Sequence, residues 1–439
     1  MHNLILAAAL AAFAATPALA DSAEVADAVA TDYDSHLEDL FVHFHQNPEL
    51  SFLETDTAKR MAAELRAAGL TVTENVGGTG VVGMLENGDG PLIMLRADMD
   101  GLPVEERSGL EYASTATQVG QDGETYPVMH ACGHDVHITS MVGTARRLMA
   151  MKDDWSGTLM FVVQPAEERV GGAKAMLEDG LYDRFGTPDY ALAFHVASIL
   201  PTGVISAAEG IQYSSADSVD IMVPGVGAHG ASPHMGRDPV YIASQIVTAL
   251  QSIVSREIEP LSPAVITVGA FQAGTKHNII SERADLQLTV RANDEDTRAQ
   301  LLAAIERVAV GIGKAHGLPD ELPVKVTVSE GTPVTYNDPE LARRLNGVMR
   351  TTFGEAGFQP FEQRGMGAED FSYFVAEDLG VPGYYFAVGG TPPEAFEADA
   401  NGGPAVPSHH SPLFKIAPRE SVTLGTRAMV AAVLDLAGS

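Results

Sequence analysis

Residues 129–137 read MHACGHDVH, and they hold the one cysteine of a 439-residue chain. Cys132 lies two residues from His134, with His130, Asp135 and His137 beside it. Thiolate, imidazole and carboxylate at short range are the donors that divalent first-row metal ions take. Three further segments carry such donors: Glu167 and Glu168 in QPAEE, His195 in AFHV, and His409 and His410 in SHHSP. Each alone has a plainer reading. A lone histidine packs in a core, a Glu-Glu pair is solvated, a His-His pair beside proline is a surface loop, and a buried thiol can be inert. Cys-x-His without a second pair is no zinc-finger signature. A metal ion would nevertheless explain the solitary thiol, because it holds the thiolate form.

The joint placement of these donors comes from the elements around them. GVVGML and PLIMLRADMD read as strands joined by the turn signal ENGDG. After HACGHD, residues Ile138, Met141, Val142, Ala145, Leu148 and Met149 recur at helical spacing. GTLMFVVQ is a buried-type strand stopped by Pro165, and DYALAFHV is another; residues 36–68 form two helical pieces broken by NPEL at 47–50. The donors thus fall at strand ends or at a helix start, where sites gather in open α/β sheets. From residue 211 the pattern becomes strand 218–224, helix 238–255, strands 265–272 and 284–291, helix 294–315 and strand 323–330. That order, βαββαβ, is ferredoxin-like. Beyond 330, GYYFAV reads as a strand and RESVTLGTRAMVAAVLDLA as a closing helix. The expected fold is α/β: a catalytic domain with a largely parallel central sheet over 21–210 and 331–439, interrupted by a small inserted domain over 211–330. A site in the cleft between them follows. Gly365, Gly367, Gly389 and Gly390 read as turn glycines near that cleft.

The formal charge of −31 argues against nucleic-acid binding, which needs a basic surface. Residues 1–20, MHNLILAAALAAFAATPALA, combine a short apolar run with Ala18-Leu19-Ala20 before Asp21, the pattern of a cleaved signal peptide. No later stretch reaches the ~20 apolar residues of a spanning helix. The mature protein is therefore expected to be periplasmic or secreted, without stable membrane insertion. A single cysteine exported to an oxidising compartment has no partner for a disulfide within the chain.

NPELSF, LRADMDGLPVEE, MHACGHDVH, QPAEE, AFHV, GAHGASPH, GAEDFSYF and HHSPLF occur in the order seen in the M20 metallopeptidases. The chain most resembles the amidohydrolase branch, which includes hippurate hydrolases, auxin-amino-acid hydrolases and N-acyl-amino-acid deacylases. The resemblance implies a two-metal hydrolase whose inserted domain mediates dimerisation and helps close the site. It places metal ligands at Cys132, His134, Glu168, His195 and His410, the last because it immediately precedes SPLF. It makes Glu167 the general base, and His229 and Asn278 candidates for binding substrate, possibly across a homodimer. Where other branches have His-x-Asp, this chain has Arg96-Ala97-Asp98. Arg96, permanently cationic, cannot ligate; Asp98 is then expected to orient a ligand, and His137 to stand beside one. Two divalent ions per subunit are implied, with Mn, Zn, Co or Ni all compatible. The expected reaction is hydrolysis of an N-acyl or N-aroyl amino acid to a carboxylic acid and a free amino acid. A dipeptidase or carboxypeptidase would use the same site. From another class, the rival is a non-catalytic periplasmic metal- or solute-binding protein, against which Glu167 stands. A serine hydrolase lacks its G-x-S-x-G elbow here.

Overall fold

The structure, a computed structural model, describes residues 23–438. The leader expected over residues 1–20 lies outside the described residues. Strand Leu92–Asp98 runs through the middle of an eight-stranded sheet, hydrogen-bonded in parallel to Gly157–Gln164 on one side and Tyr190–Pro201 on the other. Gly383–Thr391 continues the parallel run beyond Tyr190–Pro201. Antiparallel pairs lie toward the edges, where Thr71–Val76 meets Gly80–Asn87, Gly80–Asn87 meets Gly157–Gln164, and Ile205–Ala207 meets Gly383–Thr391. The largely parallel sheet is as expected.

Alternation along the central strands buries both faces. Ile93, Leu95 and Ala97 join a core with Val136, Ile138 and Val142 of helix His134–Ala150 and with Val422, Val430 and Val433 of helix Pro418–Ala437. Met94, Met160, Val162 and Tyr385 face the other way, onto Phe371 and Phe374. Such two-sided burial requires the near-continuous apolar runs seen in PLIMLRA and GTLMFVV. The first helical stretch begins at Ala23, earlier than its expected start at 36, and runs to Gln46 through a π-turn at Tyr33–Leu37. The chain breaks at Asn47-Pro48, and the second helix spans Thr55–Ala67.

A second sheet interrupts this one. Its four strands lie in the order Ala264–Ala273, Arg283–Ala292, Ala216–Pro224 and Lys325–Thr332, all antiparallel. Helices Pro239–Arg256 and Glu295–Ala315 cover it with a core of their own, in which Val219, Ile221 and Val223 meet Ile242, Ile246, Leu301 and Ile305. Both helices start on an aspartate. Asp238 accepts from the amides of Val240 and Tyr241, and Asp294 from that of Thr297.

Two local readings change. The strand expected to end at Val196 runs on to Pro201, because Gly383–Thr391 keeps pairing with it as far as Thr391 and Pro201. Gly389 and Gly390 are not in a turn but in that neighbouring strand. A Cβ at Gly389 would lie 1.8 Å from the Pro201 carbonyl oxygen, so close approach of two backbones demands glycine there. Among the described residues, no helix is long and apolar enough to cross a membrane.

Candidate metal centre

The chemistry-bearing side chains converge at one end of the parallel strands. Asp98 ends its strand, and Glu167 and Glu168 follow the strand Gly157–Gln164 on a short 3-10 turn entered through a left-handed Ala166 (φ 50). His195 lies within Tyr190–Pro201. Cys132 and His134 flank Gly133, which starts helix His134–Ala150 in a left-handed conformation with φ 88. A Cβ at Gly133 would lie 2.4 Å from a Val196 methyl, so the turn presses directly against the His195 strand. His410 is also left-handed (φ 63).

Donor atoms of Cys132, His134 and His195 lie within 4.8 Å of one another, as do those of Cys132, Glu168 and His410, and those of His134, Glu167 and Glu168. Hydrogen bonds at each imidazole decide which ring nitrogens remain available. His134 donates from Nδ1 to the Asp100 carbonyl (2.8 Å), leaving a buried Nε2 without a hydrogen-bond partner. His195 donates from Nδ1 to the Val196 carbonyl (2.6 Å), so its Nε2 presents a lone pair 3.4 Å from Cys132 Sγ. His410 turns Nε2 toward Glu168 Oε2 at 3.4 Å.

His137 differs. Its Nε2 accepts the Val196 amide (2.8 Å) and its Nδ1 donates to Asp98 (2.5 Å), so neither nitrogen is free. At His409, which directly precedes the expected ligand, Nε2 is committed to the Ser198 amide (3.1 Å), and Nδ1 faces Cys132 Sγ at 3.8 Å, farther than His195 Nε2. It supports the sulfur rather than competing for a ligand place.

A buried charge network sits beneath the donors. Arg96 reaches Asp98 (2.6 Å), Glu369 (2.7 Å), Asp370 (3.2 Å) and Gln164 (2.7 Å). Burial raises the Asp98 pKa, but Arg96, His134 and His137 outweigh it and hold the carboxyl well below its usual range. Burial pushes Glu167 well above the usual carboxylate range, with Glu369, Glu168, Asp370 and Asp98 adding to it. Glu168 is pushed up to about 7, chiefly by burial, against the opposing pull of His134. For His134 burial disfavours the cation, yet Asp98, Asp100 and Glu168 raise its pKa to about 10. Carboxylates that hold a proton so firmly at Nε2 provide the negative field a divalent cation needs. Free imidazole nitrogens, one thiol, and Glu168 Oε1, buried without a hydrogen-bond partner, fit such an ion in donor type and position.

The donors open into a cleft of about 790 Å³. Cys132, Glu167, Glu168, His195 and His410 line one side, and Ser218, Thr289, Arg291 and Glu330 of the inserted sheet line the other. Gly365 and Gly367 lie along its wall. His229 and Asn278 do not line it. They stand exposed on a separate two-strand pair, Ala228–His229 against Ile279–Ile280 and its entry, where the Gly230 amide meets the Asn278 carbonyl. Sequence reasoning also passed over Arg291, Glu369 and Asp370. The last two lay in the quoted GAEDFSYF, but nothing local marked Arg96, 273 residues away, as the partner of Glu369.

Residues 94–401 match the peptidase family M20/M25/M40. The chain belongs to this family. It is similar to the hippurate hydrolase of Campylobacter jejuni, 39% identical over 78% of this chain and 86% of that protein. It is also similar to thermostable carboxypeptidase 2 of Saccharolobus solfataricus, 38% identical over 79% of this chain and 83% of the relative. Among solved structures, the Bacillus subtilis YXEP protein, described as a dinuclear metal binding peptidase from the M20 family, superposes with a TM-score of 0.72. It is 27% identical and covers 93% of this chain and 98% of that one. This M20 chain is thus a metal-dependent hydrolase of small amide or peptide substrates.

In an M20 site of this geometry, Cys132 stands among His195, Glu168 and His410 and shares a donor group with each. Losing an outer-shell partner of a metal ligand already costs about 10–100-fold in affinity. Cys132→Ala should therefore lower metal affinity by at least that order while the circular dichroism of the protein is unchanged. Full occupancy by elemental analysis at wild-type metal concentrations would contradict the placement.

Proposed function

We propose that this M20 chain cleaves the amide bond of N-acyl or N-aroyl amino acids, with Cys132, His134, Glu168, His195 and His410 holding two divalent ions and Glu167 acting as general base. One observation carries the reading. Glu167 lies buried in the cleft beside the donors, 3.9 Å from His134 Nε2, and among the described residues no lysine or arginine pairs with it. Its neighbour Glu168 shares that side and also faces His410 and Cys132, which Glu167 does not. Adjacent carboxylates therefore have separate tasks.

When bound, the metal ions supply an acidified water and polarise the scissile carbonyl. Glu167 takes the proton of the attacking water on its carboxylate and delivers it to the departing amine nitrogen. Asp98, kept ionised by Arg96, holds His137, and His137 in turn takes the Val196 amide beside His195. Arg291 is a half-buried cation on the far wall, bonded to Thr289 Oγ1 (3.1 Å), in the field of Asp217 but in no direct ion pair among the described residues. It suits the carboxylate of an amino-acid product. Ile199, Leu200 and Phe361 offer apolar surface to an acyl or aroyl group.

Similarity to a hippurate hydrolase supports an aroyl substrate, whereas similarity to a carboxypeptidase favours a second reading in which the same site cleaves peptides. Rates on N-acetyl, N-benzoyl and long-chain acyl amino acids against dipeptides separate the two. The apolar leader over residues 1–20 supports export to the periplasm or beyond. His229 and Asn278, exposed and away from the cleft of their own chain, support a homodimer in which each inserted domain completes the partner's site.

Glu167→Gln keeps shape and removes the basic oxygen. Turnover should fall by about 10²–10⁴-fold with bound metal retained, whereas Glu168→Gln should lose metal. A near wild-type rate for Glu167→Gln in every active metal form would refute the mechanism.

His229→Ala should likewise retain metal and lose most turnover. Mixed dimers of His229→Ala and Glu167→Gln chains should recover activity through hybrid sites, and verified heterodimers without recovery would exclude action across the dimer.

A further inference from the structure

Tyr213 stands where the chain leaves the catalytic domain for the inserted one, and it lines the cleft together with Cys132, Glu167 and Glu369. Its backbone is pinned on both sides. Strand Gly210–Tyr213 pairs with Thr335–Asn337 of the returning crossing, Tyr213 opposite Thr335, and the next amide, that of Ser214, donates to the Gly367 carbonyl (2.8 Å). The ring is pinned as well. It meets Tyr385 edge-on at 5.5 Å between centroids and Phe361 at 6.3 Å, and Gly367 presents its bare Cα beside it.

The hydroxyl is a different matter. Buried phenols find hydrogen-bond partners as a rule, and the other tyrosines packed in this core do: Tyr182 donates to the Phe374 carbonyl (2.7 Å), Tyr384 to Asn346 (2.8 Å) and Tyr385 to Glu369 (2.5 Å). The half-buried Tyr213 makes no such bond among the described residues. Burial pushes its pKa well above the usual phenol range, and Glu369, Cys132, Glu167 and Asp98 add to this. Those four groups belong to the metal centre and the charge network beneath it. A rigid ring thus holds a protonated, uncommitted donor beside the base.

We propose that the Tyr213 hydroxyl donates a hydrogen bond to the oxygen of the scissile carbonyl, which makes Tyr213 a catalytic residue supplied by the same chain as Glu167. The inference rests on the amide hydrolysis proposed above. Attack of water on an amide moves negative charge onto the carbonyl oxygen, and a donor already fixed in place stabilises that charge without reorganising. At the centre the thiol, the imidazoles and Glu168 are committed as ligands and Glu167 as base, so a neutral O–H fills a part that none of them can play. The proton stays on the tyrosine throughout. Arg291, on the far wall, remains for the carboxylate of the substrate.

Tyr213→Phe tests this, because it keeps the ring and its packing and removes one oxygen that no protein group uses. With N-benzoylglycine, kcat should fall by about 10²–10³-fold. KM should change little, as expected for an interaction made in the transition state. Metal content and circular dichroism should match wild type. A phosphinate isostere of N-benzoylglycine, with tetrahedral phosphorus for the carbonyl carbon and a methylene for the amide nitrogen, should bind the metal-loaded variant about 10–100-fold more weakly than wild type. A kcat near wild type, or an unchanged phosphinate affinity, would overturn the inference. Loss of metal from the variant would also overturn it, since Tyr213 would then act through the centre. Wild-type protein that cleaves dipeptides but no N-benzoylglycine would refute the proposed substrate, and the same comparison of kcat on a dipeptide would still decide the role of Tyr213.

Discussion

Six carboxylates, Asp98, Asp100, Glu167, Glu168, Glu369 and Asp370, share one largely buried region with the guanidinium of Arg96. Buried negative charge is costly unless paired or protonated. The consequences are visible at Asp370, Glu168 and His134. Burial pushes Asp370 up to about 8 despite Arg96, and Glu168 up to about 7. His134, surrounded by carboxylates, binds a proton up to about pH 10. A protein that keeps such a cluster gains when cations enter it, and the M20 family to which this chain belongs is one of metal-dependent hydrolases.

The arrangement separates the work among residues that look alike in sequence. Arg96 pairs with Asp98, Glu369 and Asp370, so these carboxylates lie beneath the donors rather than among them. Glu167 and Glu168 remain without an arginine or lysine partner among the described residues and face the cleft. Histidines divide in the same way. His137 has given both ring nitrogens to neighbours and His409 has given Nε2 to the Ser198 amide, whereas His134 keeps an unpartnered Nε2 and His195 turns its Nε2 to the Cys132 sulfur. Hydrogen bonds to main-chain groups make this division, which ties the choice of ligand to the parallel sheet itself. The amides and carbonyls of Val196, Ser198 and Asp100 are supplied by strand Tyr190–Pro201 and by the segment leaving strand Leu92–Asp98.

Much of this was legible in the chain before its structure. Apolar runs and turn signals marked the central strands, and the βαββαβ succession marked the strands and helices of the inserted sheet. Local pattern carried those features because burial on one or two faces imposes a period. It could not carry what depends on distant partners. The strand through His195 is five residues longer than its apolar run, since pairing with Gly383–Thr391 extends it. Gly389 resembled a turn glycine, but the Pro201 carbonyl is what excludes a side chain there. His409 and His410 are neighbours in sequence, yet one ring faces Cys132 and the other Glu168. Asp100 had no distinguishing mark in LRADMDG, because the amides it accepts come from residues 167 and 168.

The central claim is that the buried donors act through the ions they hold. Its most direct test is hydrolysis of N-benzoylglycine by protein stripped with a chelator and then reloaded with measured amounts of Mn²⁺ or Zn²⁺. The stripped protein should lose nearly all turnover, and activity should return in proportion to added metal until about two equivalents are bound per chain. Undiminished hydrolysis by protein shown to be free of metal would contradict the account.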